Sequence, residues 1–476
     1  MTNDSQIQFW RLGTVALLCV LASLSGCAVG PDYKRPVVNS PGSFRGDSVQ
    51  TTKSFADQEW WTVYQDPILQ LLIREAITNN YDLLIATARV EQEQALAVQA
   101  RSQFVPNLEY NGNVSRGEND LFGSLYPNNG STASSAMASL NTFWELDLWG
   151  RIRRLNEAAR AQVLASEDAR NGVMLTLLSE VASDYFRLLE LDRELEINAQ
   201  TTDSFNDSLS IFRQRMEGGT GSALETSRAE AALADAKSAT PLVLEEIALT
   251  ENELCILLGR NPGPISRSKP DFAEQLTPEV PVGLPSQLLE RRPDIREAEE
   301  SLHAANADVG ESVAEFFPEI GLTALLGRVS PELSAFSLGS ANAWGVAAAA
   351  SGPIFEGGKL VGQYHQAKAA RDEAALRYRQ TILFAFRDVS DALVSRERLA
   401  EIRDQQAVEV TSLEKAVKLS TERYLAGKAN YYEVLEAQQQ LFPAQLNLAR
   451  TQRDQLLAVV TLYKSLGGGW KEASSK

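Results

Sequence analysis

Histidine is nearly missing from this chain: there are two in 476 residues, His303 and His365. Neither has a metal-ligand spacing or a cysteine nearby, so each reads as a solvated or packed helical residue rather than a ligand. Cysteine is also scarce, with three copies, Cys19, Cys27 and Cys255. An excess of basic charge is absent as well; the formal net charge is −17, against the basic face that nucleic-acid binding needs. Carboxylates are plentiful, but no pair stands apart from ordinary surface charge. The glycine-rich run Gly352 to Lys359 lacks a phosphate-loop pattern, because Leu360 follows the lysine, and it reads as a strand-to-helix corner. Proline is missing from two long stretches, Arg151 to Met216 and Lys359 to Leu425. About 65 helical residues would make a rod of roughly 100 Å. Helices that long belong to coiled or stacked assemblies rather than to a globular core.

What is present is one layout written twice. Asn80, Asp82 and Ala86 match Arg292, Asp294 and Ala298, and Phe104 to Leu108 matches Phe316 to Ile320. Arg215, Gly219 and Glu225 then match Arg423, Gly427 and Glu433, and Leu258-Gly259 matches Leu466-Gly467. Each copy reads as helix, two short strands, a very long helix, a tight turn and a returning helix. A first helix starts at Asp66-Pro67, an N-cap followed by a favoured first-turn proline, and runs to about Gln103. Strands are indicated by strict alternation in Leu108 to Ser115 and by Leu140, Trp144, Leu146 and Leu148 sharing one side of the return segment. The second copy shows Ile320, Leu322 and Ala324, then Trp344, Val346, Ala348 and Ala350. Alternation of this kind marks an outer-membrane strand, and a half-buried soluble hairpin carries the same pattern. Trp144, Trp149 and Trp344 at strands or strand ends suit an interfacial belt or, for Trp149, corner packing. Two copies supply four strands, which cannot close a barrel alone; the shortfall points to an oligomer and a membrane.

Both rods end in matched turns. Gly219 and Gly427 are natural helix-ending residues, Thr220-Gly221 and Lys428-Ala429 complete the turns, and Ser222 and Asn430 are N-caps with Glu225 and Glu433 three residues on. The N-terminus reads as an export signal, with Arg11 preceding the apolar run Leu12 to Leu24, too short to span a bilayer. It ends in Leu24-Ser25-Gly26-Cys27, which resembles a bacterial lipobox; that resemblance implies cleavage before Cys27 and its acylation with diacylglycerol and an N-acyl chain. Ala28 after it favours release to the outer membrane. Cys19 would leave with the signal and Cys255 reads as a buried thiol, so the mature chain has no pair for a disulfide. The organisation is therefore 1–26 signal, 27–66 tether, 67–263 first repeat, 264–287 linker, 288–470 second repeat and 471–476 tail. Within the repeats, the strand hairpins fall at 104–148 and 316–355 and the helical hairpins at 151–259 and 359–466.

Leu24 to Cys27, Gly30-Pro31-Asp32-Tyr33, Trp60-Trp61, Glu290 to Ile295 and Leu466 to Trp470 together resemble the outer-membrane efflux lipoproteins of the TolC-like superfamily. The resemblance runs in order through nearly the whole mature chain. It implies a mainly α fold with a small β part: a homotrimer whose four strands per protomer build a twelve-stranded transmembrane barrel above a long helical barrel. It implies an exit duct for small molecules, anchored in the outer membrane and reaching into the periplasm. Its tips, Gly219, Thr220, Gly221, Ser222, Gly427, Lys428, Ala429 and Asn430, would meet a periplasmic adaptor. That adaptor would join the duct to an inner-membrane, commonly proton-driven, transporter. No nucleic acid, metal, other cofactor or enzymatic activity is expected. Family members often carry an acidic ring just after the second tip glycine; here Lys428-Ala429-Asn430 stands there, so Arg423, Tyr424, Tyr431 and Tyr432 become the gate candidates. A lipid-anchored periplasmic adaptor or scaffold would explain the rods but would leave both strand hairpins unburied, and a duct for secreted protein is the remaining alternative.

Overall fold

The computed structural model describes residues 28–45, 64, 66–118, 132–268, 285–330, 336 and 342–468. The signal, Cys27, Trp60-Trp61, the 119–131 loop, most of the linker and the tail lie outside them. Its main elements are α1 (Pro67–Asn79), α2 (Tyr81–Ser102), β1 (Asn107–Glu118), β2 (Thr132–Leu146), α3 (Arg151–Glu217) and α4 (Ala223–Leu257). The second copy follows as α5 (Leu288–Arg291), α6 (Pro293–Ala314), β3 (Glu319–Ser330), β4 (Asn342–Ser351), α7 (Lys359–Leu425) and α8 (Tyr431–Ser465). The two rods are equal at 67 residues each. The chain divides into two compact units, and each draws on both repeats. One takes Met1–Val37, Val90–Ser166 and Ala298–Tyr378; the other takes Val38–Arg89, Glu167–Glu297 and Arg379–Lys476.

The first unit holds a four-stranded antiparallel sheet in the order β1-β2-β3-β4. Register runs from Asn107 opposite Phe143 to Glu118 opposite Thr132, from Ala136 opposite Ser330 to Leu146 opposite Ile320, and from Glu319 opposite Ser351 to Arg328 opposite Asn342. These pairings put every even-numbered strand residue on one face and every odd-numbered one on the other, because side chains alternate along a strand. The even face carries Leu108, Tyr110, Val114, Leu140, Trp144, Leu322, Leu326, Trp344 and Val346; the odd face carries Glu109, Asn111, Asn113, Ser139, Asn141 and Thr323. Leu148 falls beyond β2, since the chain leaves the ladder at Leu146 to turn into α3.

The second unit buries its largest side chains, among them Tyr185, Phe186, Leu178, Leu188 and Tyr463, in helical layers. The continuous helix expected from 67 to 103 is broken at Asn80. Its backbone N–H closes α1 on the Ala76 carbonyl at 2.9 Å. Its side-chain oxygen accepts from Leu83 N–H at 3.0 Å, so one asparagine ends α1 and caps α2. The amphipathic spacing carries no trace of this break, because both helices keep their apolar faces inward through Leu72, Ala76, Leu83 and Ala86.

Candidate functional site

The sheet is the first part of the site. Its even face is apolar yet bare: Tyr110 is 89% exposed, Trp344 77% and Val346 75%. Such an area of exposed apolar surface is too large to be left to water in a soluble chain. The odd face is polar over β1, with Asn107, Glu109, Asn111 and Asn113, and mostly small over β4, and a cavity of about 730 Å³ lies against Asn107, Glu109, Asn141, Phe143 and Ala347. One greasy side, one wet side and two outer strands with no partner among the described residues are the features of a barrel wall. Among the described residues no helix is long and apolar enough to cross a membrane.

Beneath the sheet, residues 28–35 lie as a strap on one stripe of α6. Val29 N–H donates to the Trp149 carbonyl at 2.9 Å. Gly30 (φ 91°) crosses Gly310 so closely that a Cβ would lie 2.4 Å from its Cα. Asn306 donates to the Pro31 carbonyl at 2.9 Å, Tyr33 stacks on His303 at 4.5 Å, and Arg35 pairs with Glu299 at 2.8 Å. Five extended residues and eleven helical ones each advance roughly 16 Å, which is why the two series stay in step. Arg154, buried under the crossing, donates to Val29 O at 3.3 Å, to Asp32 at 2.8 Å and to Glu157 at 2.8 Å. His303 lies between Glu157 and Glu300, at 3.1 and 3.4 Å, as part of this packing. Ala28, the first described residue, abuts Gly150 at the corner after β2.

The second unit closes each repeat with the same joint. Asn80 donates through Nδ2 to the Leu257 carbonyl at 3.0 Å, and Arg292 donates through Nη1 to the Ser465 carbonyl at 3.1 Å. Both satisfy a carbonyl in the last turn of a returning helix. Gly259 and Gly467, at φ 69° and 70°, then reverse the chain against Asn79 and Arg292. Arg292 is held by Asp294 in a bidentate pair at 3.0 and 2.7 Å and by Asp388 at 3.2 Å. The matched Asn80/Arg292 positions and the Leu-Gly ends are thus two halves of one contact.

The turns are the third part. In the first, Gly219 takes φ 72°, and Thr220 and Gly221 N–H both donate to the Arg215 carbonyl at 2.9 Å. Ser222 and Glu225 form a reciprocal capping box. In the second, Gly427 takes φ 69°, Lys428 N–H donates to the Arg423 carbonyl at 2.9 Å, and Asn430 caps Glu433 N–H at 3.3 Å. The Glu433 carboxylate turns to Arg423 at 3.7 Å, and Ala429 completes the turn. The four gate candidates separate into two sets. Tyr424 and Tyr431 are buried against Phe212, at ring distances of 5.4 and 4.0 Å, in a cluster with Phe205, Leu209, Leu233 and Val434. Burial pushes the Tyr431 phenol up to about 12, and its Oη has no hydrogen-bond partner among the described residues. Tyr432 is 56% exposed and Arg423 lies outside the cluster, donating to the Lys428 carbonyl at 3.4 Å. Sequence reasoning missed Phe212, the hub of this cluster, and Arg215, whose guanidinium lies 4.6 Å from the Tyr424 ring centroid. The signal available was the Phe205, Leu209, Phe212 spacing on one helix face.

A sheet with one apolar exposed face and, among the described residues, two unpaired edges, in a chain that also builds paired helical hairpins, is the signature of a membrane-inserted conduit. The family model described as outer membrane efflux protein matches residues 72–260 and 284–468, and the chain belongs to that family. It is 35% identical over 458 residues to the solvent efflux pump outer membrane protein SrpC of Pseudomonas putida, covering 94% of this chain and 97% of that one. It is 30% identical to the cation efflux system protein CusC of Escherichia coli O6:H1, covering 95% and 98%. Among solved structures, the outer-membrane channel OprN superposes with a TM-score of 0.85 at 27% identity, covering 93% of this chain and all of that one. The open state of the Neisseria gonorrhoeae MtrE outer membrane channel gives 0.83 at 29%, covering 94% and 99%. This protein is an outer-membrane channel of an efflux pump.

Proposed function

We propose that three copies of this chain close one twelve-stranded conduit, through which small toxic molecules leave the periplasm without any bond being made or broken. The observation that carries this reading is the sheet, in which Tyr110, Val114, Leu140, Trp144, Leu326, Trp344 and Val346 share the even-numbered face, and both outer strands lack a second partner among the described residues. Relatives are named for solvent and cation efflux, so the cargo class is a small molecule or ion. Cys27, which ends the lipobox-like Leu24-Ser25-Gly26-Cys27, carries the acyl chains. The turns at Gly219 to Ser222 and Gly427 to Asn430 receive a periplasmic adaptor, behind which stands an inner-membrane, proton-driven transporter. Arg423, Tyr424, Tyr431 and Tyr432 border the gate, with Tyr424 and Tyr431 fixed by Phe212.

Two measurements test this. Native mass spectrometry of the detergent-extracted protein should give a trimer whose subunits begin at Cys27 with acyl mass. A lipid-free soluble monomer would instead support an adaptor or scaffold. In planar bilayers, changing Tyr431 and Tyr432 together to alanine should raise single-channel conductance or open probability; unchanged currents would remove these tyrosines from the gate.

A further inference from the structure

The internal duplication contains a copy of the joint that must form between chains. Within one chain the repeats meet where β2 pairs with β3, from Ala136 opposite Ser330 to Leu146 opposite Ile320. The outer strands β4 and β1 are the counterparts of β2 and β3. Ile320 lies 212 positions after Leu108, and their partners, Ala350 and Thr142, lie 208 apart. Carrying those two offsets across the β2–β3 ladder fixes a register for β4 against β1 of the next copy.

We infer that β4 of one copy pairs with β1 of a second copy with Val346 opposite Arg116, Ala348 opposite Val114 and Ala350 opposite Gly112, and that this brings Ile354 beside Leu108. The inference rests on the trimer reading and adds the contact that reading lacks. Three observations converge on this register. First, the chemistry repeats: within the chain Ala138 faces Arg328, Leu140 faces Leu326 and Thr142 faces Ala324, which are the same kinds of pair. Second, it matches even residues with even ones, so the apolar face stays continuous across the seam. A slip of one residue would turn that face inward along a whole strand. Third, it explains the bare corner after β4. β2 is paired on both sides and runs to Leu146; β4 is paired only with β3 among the described residues and stops at Ser351. The counterpart of Leu146 is Ile354, which is 102% exposed, with Phe355 beside it at 87%. Leu108, also exposed, is the residue this register sets against Ile354. An open apolar edge of this kind is an aggregation hazard unless a strand covers it, and a second copy of this chain supplies one.

The test is disulfide trapping in outer membranes, in a Cys255→Ala background. Residues directly opposite in an antiparallel pair have Cα atoms about 4.5–5.5 Å apart, inside the range a disulfide spans. Val114→Cys with Ala348→Cys, and separately Arg116→Cys with Val346→Cys, should give covalent trimers on non-reducing gels that collapse with dithiothreitol. Ser115→Cys with Ala348→Cys projects to opposite faces, and Tyr110→Cys with Ala348→Cys is offset by four residues, roughly 13 Å along the strand. Both controls should remain below a tenth of the cross-linking of the matched pairs. Native mass spectrometry of the same preparations separates the outcomes. A trimer that cross-links through a control pair, or through neither matched pair, overturns the register and leaves the trimer standing. A monomer overturns both.

Discussion

Four glycines share nearly the same backbone conformation but not the same surroundings. Gly219, Gly427, Gly259 and Gly467 have φ of 72°, 69°, 69° and 70°. Placing an L-residue in this left-handed region costs about 1–2 kcal/mol, partly offset by about 0.4–1 kcal/mol from a less flexible unfolded chain. At the two tips that is the whole cost, because a Cβ at Gly219 or Gly427 would meet no atom within 4 Å. At the joints a Cβ on Gly259 would lie 2.3 Å from the Asn79 carbonyl oxygen, and one on Gly467 would lie 2.7 Å from the Arg292 Cα. Both obstacles are backbone, so neither can swing aside, and overpacking adds roughly 1–3 kcal/mol. Alanine at either tip should therefore cost about 1 kcal/mol, and alanine at either joint about 2–4 kcal/mol. In a thermal melt of the purified protein the tip variants should shift by roughly 1 °C and the joint variants about two to four times as far. Gly467→Ala should also loosen Arg292 from the Ser465 carbonyl, which hydrogen exchange at the end of α8 would register. If the tip and joint variants melt together, the joints are not the close contacts inferred, and the shared Asn80/Arg292 architecture loses its energetic meaning.

The tip cluster and the helical body give two more expectations. Tyr431→Phe should be neutral or stabilise by up to about 1 kcal/mol in urea melts, because it deletes a buried hydroxyl with no partner, whereas Phe212→Ala should destabilise by about 3–5 kcal/mol. Burial and then the nearby Glu253 raise the Asp184 carboxyl to about 6. A carboxyl raised in the folded state binds its proton more tightly there. Its contribution to stability is therefore full below the ordinary carboxylate range and is lost as pH rises through about 6. Asp184→Asn should flatten the pH–stability curve over that window and be the more stable protein at pH 8; a parallel curve would place the titration elsewhere.

Much of this architecture was legible before any coordinates. The long helices are fixed by an absence of proline and a continuous helical composition, the turns by Gly219 and Gly427 with their following N-caps, and the strands by alternation of period two. These are local properties, decided within a few residues of each position, and the matched offsets show them twice. The TolC-like resemblance rests on short motifs in order; the family match, over residues 72–260 and 284–468, takes in Glu290 to Ile295 and the start of the Leu466 to Trp470 motif, while Leu24 to Cys27, Gly30 to Tyr33 and Trp60-Trp61 precede it.

Tertiary structure decided what local pattern cannot encode. Asn80 splits a helix because its side chain has a carbonyl to reach at Leu257, 177 residues away. Arg292 serves the same purpose with a different side chain, so residue identity alone does not disclose the equivalence. Tyr431 and Tyr432 are neighbours of one residue type, yet a helix turns them about 100° apart. One is buried on Phe212 and the other faces solvent. The register of β2 on β3 likewise depends on two strands nearly 200 residues apart meeting at a chosen offset, which only packing of the whole unit fixes. Sequence set the period of each element; the distant partners set which face each element buried and where each one stopped.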